Sequence, residues 1–268
     1  MREFFLELLG EKLANEHNGI SMFSWTHILY LVLIVGIIVA LSIIFFKKEE
    51  STKTKVLNIL AILIAVSYIS DFFFQPFWHN GTFEKNGELI LDKFPFHICT
   101  VLCPLVLYAR FGKYGKGIKT PIAVLAVVAP LMWLIYPGTA LDTDLAAYSY
   151  EIVQLFMYHG LVFIYGACAL TLNEAKLNIK KCYKEALCVL GIALWGALGN
   201  SLYSCEDHGY NWFFLKDPVF GFIPESINPF VVPIVIFLSC LVIYGVYYLV
   251  IFLYNKFQKE SVKEVANI

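Results

Sequence analysis

Charge is scarce in this chain: Asp, Glu, Lys and Arg make up 15% of its 268 residues, against 59% hydrophobic residues. So thin a polar complement cannot clothe a water-exposed surface, which excludes an ordinary soluble domain and makes lipid the expected solvent. No glycine-rich phosphate loop, HExxH or CxxC is present, because Cys99 and Cys103 are separated by three residues rather than two. These absences remove the phosphate-loop, zincin and dithiol-redox classes. The last hydrophobic segment, 229–254, has no lysine, so a retinal Schiff base of the usual kind has no anchor there. Of seven cysteines only Cys205 falls clearly in an outer connection, and a disulfide framework is not indicated. The opening residues carry Glu3, Glu7, Glu11 and Glu16 where a secretory signal peptide would be basic.

What is abundant is apolar sequence in long runs. Seven segments approach the length needed to cross a hydrocarbon core of about 30 Å at about 1.5 Å per helical residue. They lie at 25–46, 56–78, 95–111, 120–136, 149–172, 185–203 and 229–254, and the third and fourth are short. Lys and Arg cluster in alternate connections: Lys47, Lys48, Lys53 and Lys55; then Arg110, Lys113, Lys116 and Lys119; then Lys176, Lys180, Lys181 and Lys184; then Lys256, Lys259 and Lys263. The positive-inside rule puts these in the cytoplasm, with the N-terminus outside. The expectation is an all-α, polytopic, seven-span membrane protein: an outer amphipathic segment (1–24), a transmembrane domain (25–254) and a cytoplasmic tail (255–268).

Polar residues inside such spans mark where function is to be sought. His27, beside Trp25 at the start of the first span, reads as interfacial. In the second span Ser67, Tyr68, Asp71 and Gln75 recur at three- and four-residue spacing, making one face polar. Asp71 reads either as a hydrogen-bond hub between helices or as part of a site. The third span opens KFPFHICT, with Pro95 suited to a first helical turn and with His97, Cys99 and Thr100 just behind it. On an ideal helix His97 lies about 200° around from Cys99, so a partner for either is expected from another helix. The fifth span supplies Glu151, Gln154, Tyr158 and His159, the last beside the small Gly160. Asn200 ends the sixth span, and Asn211 and Trp212 stand in an apolar outer connection that should fold back over the bundle. Together these residues predict a polar cavity in the outer half of the bilayer.

Three segments carry a family resemblance: Pro95-Phe96-His97-Ile98-Cys99, Tyr158-His159-Gly160, and Asn211-Trp212-Phe213-Phe214-Leu215-Lys216-Asp217-Pro218. They resemble landmark motifs of the bacterial YwaF family of integral membrane proteins, which is similar to the eukaryotic transmembrane protein 164 family. The resemblance implies a bacterial plasma-membrane acyltransferase that moves fatty acyl chains between phospholipids through a cysteine nucleophile. It implies phospholipids and lysophospholipids as partners, no nucleic acid and no cofactor. Cys99, or failing that Thr100, would attack the ester, with His97 or His159 as base; Asp71 or Glu151 would orient an imidazole. In the eukaryotic pattern a cysteine stands directly before the histidine of the third span, and here that position is Phe96. The competing expectations are a seven-span metal-dependent lipid hydrolase using His97, His159, His208, Asp71 or Glu151, and a transporter or ligand-binding protein.

Overall fold

The computed structural model describes residues 20–78, 94–137, 145–203, 211–216 and 224–266, with backbone alone at 72–78, 254, 255 and 257–266. Among these residues the chain forms seven α-helices: α1 (Trp25–Phe45), α2 (Glu50–Trp78), α3 (Ile98–Phe111), α4 (Lys119–Ile135), α5 (Tyr150–Thr171), α6 (Tyr183–Tyr203) and α7 (Asn228–Ala266). The expected amphipathic segment before residue 20, the connection 79–93, and His208 and Asp217 lie outside the described residues.

Five helices, all but α3 and α4, are long and apolar enough to cross a membrane. The two short ones pack among the others, α4 deeply and α3 with Pro104, Tyr108 and Phe111 left exposed. Helix α4 buries eleven of its seventeen residues, among them the run from Pro121 to Pro130. At about 1.5 Å per residue α3 and α4 extend only about 21 and 26 Å. Neighbouring helices, rather than lipid, cover most of the apolar surface of α4. The outer helices read the opposite way: α1 keeps only His27 and Ile34 buried, and Trp25, Leu29, Val32 and Leu33 face outward.

Helix α5 packs against α1, α2 and α4 and touches α3, because its faces differ in size. Gly166 lies where an added Cβ would sit 2.7–2.8 Å from backbone atoms of Ala123, Ala126 and Val127, so α4 approaches α5 backbone to backbone. Gly160 makes room for a side chain of α1, an added Cβ there lying 2.9 Å from Ile34 Cδ1. Helix α7 continues without a break to Ala266, through residues expected to form a separate tail.

The ends of α2, α3, α4 and the α5–α6 connection are tied by a buried ionic network. Arg110, 3% exposed in its side chain, donates to Asn58 Oδ1 (2.8 Å), to the Thr54 carbonyl (3.1 Å) and to Glu174. Lys119 Nζ reaches the same Glu174 Oε1 at 3.0 Å. Arg110 is thus a core residue rather than a connection charge.

Candidate functional site

The third apolar segment does not become helical at Pro95. Pro95 and Phe96 form a turn, Phe96 N–H bonding back to the Phe94 carbonyl at 2.7 Å, and α3 begins at Ile98. The cause is the burial of Phe96, whose ring packs on Trp195 (5.1 Å), Trp212 (4.7 Å) and Tyr203 (5.6 Å) over the bare backbone of Gly199. Trp195 Nε1–H donates to the Pro95 carbonyl at 2.7 Å and fixes the turn. His97 consequently becomes the N-cap in extended conformation, and its side chain makes no capping bond. The angular separation calculated for two residues of one helix therefore does not apply to His97 and Cys99.

The start of α3 is built from three kinds of group. His97 sets its ring edge against Phe214 (4.8 Å, 71°). Cys99 is a half-buried free cysteine in the first turn, packed against the core, and its carbonyl accepts the Tyr158 hydroxyl at 2.7 Å. Thr100 Oγ1 donates to the His97 and Phe94 carbonyls (3.0 and 3.3 Å), so this hydroxyl closes the turn. Pro104, one turn on, has no N–H to offer the Thr100 carbonyl, which loosens the helix next to Cys99. With no side-chain cap, the first-turn amides of Ile98, Cys99 and Thr100 have no intrahelical partner and carry the positive end of the helix dipole.

The second-span polar face meets α5. Gln154 Nε2 donates to the Ser67 carbonyl (3.2 Å), Tyr150 Oη to Ser70 Oγ (3.1 Å), and the Tyr68 and Tyr158 rings meet at 5.9 Å. Asp71 is the acidic neighbour of Tyr68 and Tyr150. Tyr68, Ser67 and Tyr158 thus join α2, α5 and α3 into one polar seam leading to Cys99. Glu151 occupies the first turn of α5, where a negative charge suits the helix dipole. Helix α2 runs through Gln75, whose side chain lies outside the description.

His159 faces another direction. Its ring stacks on Trp133 of α4 at 4.0 Å and 15°, and its Nδ1 lies 2.8 Å from the Leu155 carbonyl. That bond makes Nδ1 the donor and Nε2 the basic nitrogen of the neutral ring. His97 turns to the α6–α7 connection and His159 to α4, so the two imidazoles engage different neighbours. His27, expected at the interface, is instead fully buried: it accepts the Phe23 amide at Nδ1 (2.9 Å) and bonds the Leu134 carbonyl through Nε2 (2.8 Å). With Tyr30, Phe156 and Trp133 it forms an aromatic wall behind His159. Trp133 and His27 carry no site signal in a single sequence, because nothing in it says that α4 stacks on the His159 imidazole or that His27 packs behind Phe156.

Asn200, Asn211 and Trp212 share a different task. Asn200 donates through Nδ2 to the Trp212 carbonyl (3.0 Å) and accepts the Trp212 amide at Oδ1 (2.8 Å). Asn211 Oδ1 accepts the Lys216 amide at 2.9 Å, and Asn228 Nδ2 donates to the Phe214 carbonyl. These amides hold the 211–216 turn in a left-handed conformation at two consecutive phenylalanines, with φ of 61° at Phe213 and 54° at Phe214. Such a conformation is uncommon for bulky residues and persists only where the surroundings enforce it. Its product is the Phe214 ring placed against His97.

Among the described residues no three of His, Cys, Asp and Glu come together to hold a metal ion. The described His97, His159, Asp71 and Glu151 do not assemble a ligand set.

A helical bundle with five membrane-length apolar helices, two short helices packed among them and polar side chains gathered between them defines an integral membrane protein. Residues 22–252 match the model of the TMEM164 family, and the chain belongs to that family. No curated protein and no solved structure gives a significant match.

Proposed function

We propose that the chain is a seven-span plasma-membrane protein of a bacterium, N-terminus outside and C-terminus in the cytoplasm, that transfers fatty acyl chains between phospholipids at the start of α3. The observation that carries this reading is the uncapped first turn of α3. It presents the thiol of a half-buried cysteine, Cys99, beside three amides without intrahelical partners, and an imidazole, His97, at the N-cap. A nucleophile adjoining amides that can receive a developing oxyanion is what acyl transfer requires.

In the proposed cycle Cys99 Sγ attacks the ester carbonyl of a phospholipid. The thiol proton passes to an imidazole nitrogen, the C–O bond breaks, and the lysophospholipid alkoxide leaves with that proton. The hydroxyl of a second lysophospholipid then attacks the thioester, the imidazole takes its proton, and the proton returns to sulfur as the C–S bond breaks. His97 is the nearer base by chain position. The alternative base is His159, whose tautomer the Leu155 carbonyl holds with Nε2 basic. Tyr158 fixes the backbone that carries the nucleophile, and Gln154, Glu151, Asp71, Asn200, Asn211 and Trp212 shape the substrate path.

The test is mass spectrometry of phospholipids after purified protein is incubated with a labelled diacyl donor and a lysolipid acceptor. Wild type should move label to the acceptor. Cys99→Ala should abolish transfer, and loss of the true base should lower it by about 10²–10⁴-fold, so His97→Ala and His159→Ala decide between the two imidazoles. Folded wild-type protein that moves no label with any donor class would remove the acyl-transfer reading.

A further inference from the structure

Six lysines converge at the end of the bundle opposite the start of α3. Lys113 and Lys116 lie in the α3–α4 connection; Lys176, Lys180 and Lys181 lie in the α5–α6 connection, and Lys184 opens α6. The two connections touch: Lys184 Nζ reaches the Gly117 carbonyl at 3.4 Å, and Lys119 of α4 is bridged to Glu174. The lysines therefore form one surface instead of two. Five of them are exposed and Lys184 is half-buried.

Among the described residues, the acidic groups of these two connections are engaged elsewhere. Glu174 is held by Arg110 and Lys119 beneath it, and Glu185 is buried with Oε1 accepting the Tyr244 hydroxyl at 2.8 Å. None of the six lysines has an ion-pair partner among the described residues. The α1–α2 connection at the same end differs, because Glu49 and Glu50 stand among Lys47, Lys48 and Lys53, and Lys53 pairs with Glu50 at 2.9 Å. Among the described residues the six lysines thus keep positive charge that no carboxylate pairs. Around it Tyr114, Ile179 and Tyr183 are exposed, side chains that suit the boundary between headgroups and acyl chains.

We propose that this surface, built by the 112–118 and 173–184 connections, binds the headgroups of anionic phospholipids in the adjoining leaflet. The lysines supply the charge, and the Arg110–Glu174–Lys119 network supplies the rigidity that keeps the two connections side by side. The attraction is that of clustered cations near a membrane end for an anionic leaflet, and it is screened by salt. On the orientation proposed above this is the cytoplasmic leaflet, across the bilayer from the acyl-transfer site and independent of it.

The experiment is native mass spectrometry of the full-length protein in detergent, titrated with phosphatidylglycerol and phosphatidylcholine of identical acyl chains. The comparison variant carries Lys113→Gln, Lys116→Gln, Lys180→Gln and Lys181→Gln together, sparing Lys119 and Lys184, which make internal bonds. Wild type should retain phosphatidylglycerol at least about tenfold better than phosphatidylcholine, with the margin falling at high salt. The variant should retain the two equally while keeping the wild-type melting temperature. A second variant, Lys180→Glu with Lys181→Glu, makes the same change in charge with two substitutions, should lose the preference for phosphatidylglycerol likewise, and guards against a fold defect in the first. Equal retention of both lipids by wild type overturns the proposal, and so does undiminished preference in the glutamine variant. Full displacement of the lipid by millimolar inorganic phosphate would assign the surface to free phosphate and overturn the lipid assignment.

Discussion

Gly166→Ala tests whether the α4–α5 contact sets the geometry of the site. The new Cβ would lie 2.7 Å from the Ala123 carbonyl oxygen and 2.8 Å from Ala126 C and Val127 N, where ordinary contact begins near 3.4 Å. These neighbours are backbone atoms of a buried helix, so no side chain can rotate away, and the helices must part by roughly half an ångström or more. A gap of that size forfeits about a quarter to a half of each dispersion contact along the seam, and overpacking of this kind typically costs about 1–3 kcal/mol. The intrinsic preference of a helix for Ala over Gly returns at most about 1 kcal/mol. The expected net is a loss of about 1–2 kcal/mol, read as a fall of several degrees in the melting temperature of the purified protein. Gly191→Ala is the internal control: its Cβ would meet nothing within 4 Å, so propensity alone acts and the melting temperature should hold or rise. Because Gly166 lies two turns from His159 on the face turned to α4, the same substitution should also loosen the Trp133 stack and slow acyl transfer. A Gly166→Ala protein as stable as Gly191→Ala would refute the close approach and the geometry built on it.

Arg110→Leu should lower stability by about 3–5 kcal/mol, because it strands Asn58, the Thr54 carbonyl and half of the Glu174 pairing in the interior; thermal unfolding with Glu174→Gln as partner variant checks this. Asn228→Ala should cost about 1–3 kcal/mol and release the Phe213–Phe214 turn, visible as faster amide hydrogen exchange at Trp212–Lys216 with the helical core unchanged. Phe96→Cys places a thiol where the eukaryotic pattern has one. It should destabilise by on the order of 3 kcal/mol through loss of the Trp195–Trp212–Tyr203 contacts. It should leave label transfer no higher than wild type, since position 96 points at α6; a gain in transfer would place the nucleophile at 96 instead of Cys99.

The seven helices were legible because apolar periodicity and length act within each segment. Most helix bounds fall close to the segments read from hydropathy, but α2 starts six residues early at Glu50, α7 runs twelve residues past 254 to Ala266, and α3 starts three residues late at Ile98. That delay was not legible: Pro95 alone suits a first turn, and only the pocket formed by Gly199, Trp195 and Trp212 draws Phe96 out of the helix. The polar seam was legible as composition, since Ser67, Tyr68 and Asp71 share a face and Gln154 and Tyr158 lie on α5. Which face meets which helix was not. Arg110 reads in sequence as one more connection lysine or arginine, and its burial follows from Asn58 and Glu174, far from it along the chain.

Helix α5 shows why neighbours escape a single-helix reading. On a helical wheel Tyr158 and His159 stand about 100° apart, close enough to be assigned to one polar face. In the bundle that angle separates two different partners: Tyr158 reaches the Cys99 carbonyl on α3, and His159 lies flat on Trp133 of α4. What fixes the rotation of α5 is its small residues. Gly160 admits Ile34 of α1 and Gly166 admits the backbone of α4, so neither contact survives a substantial turn about the helix axis. The glycines therefore choose which polar residue faces which helix, and in doing so decide that the thiol-bearing turn of α3 is held by a tyrosine. A sequence displays the glycines and the tyrosine with equal clarity, but their relation exists only once two other helices occupy the gaps.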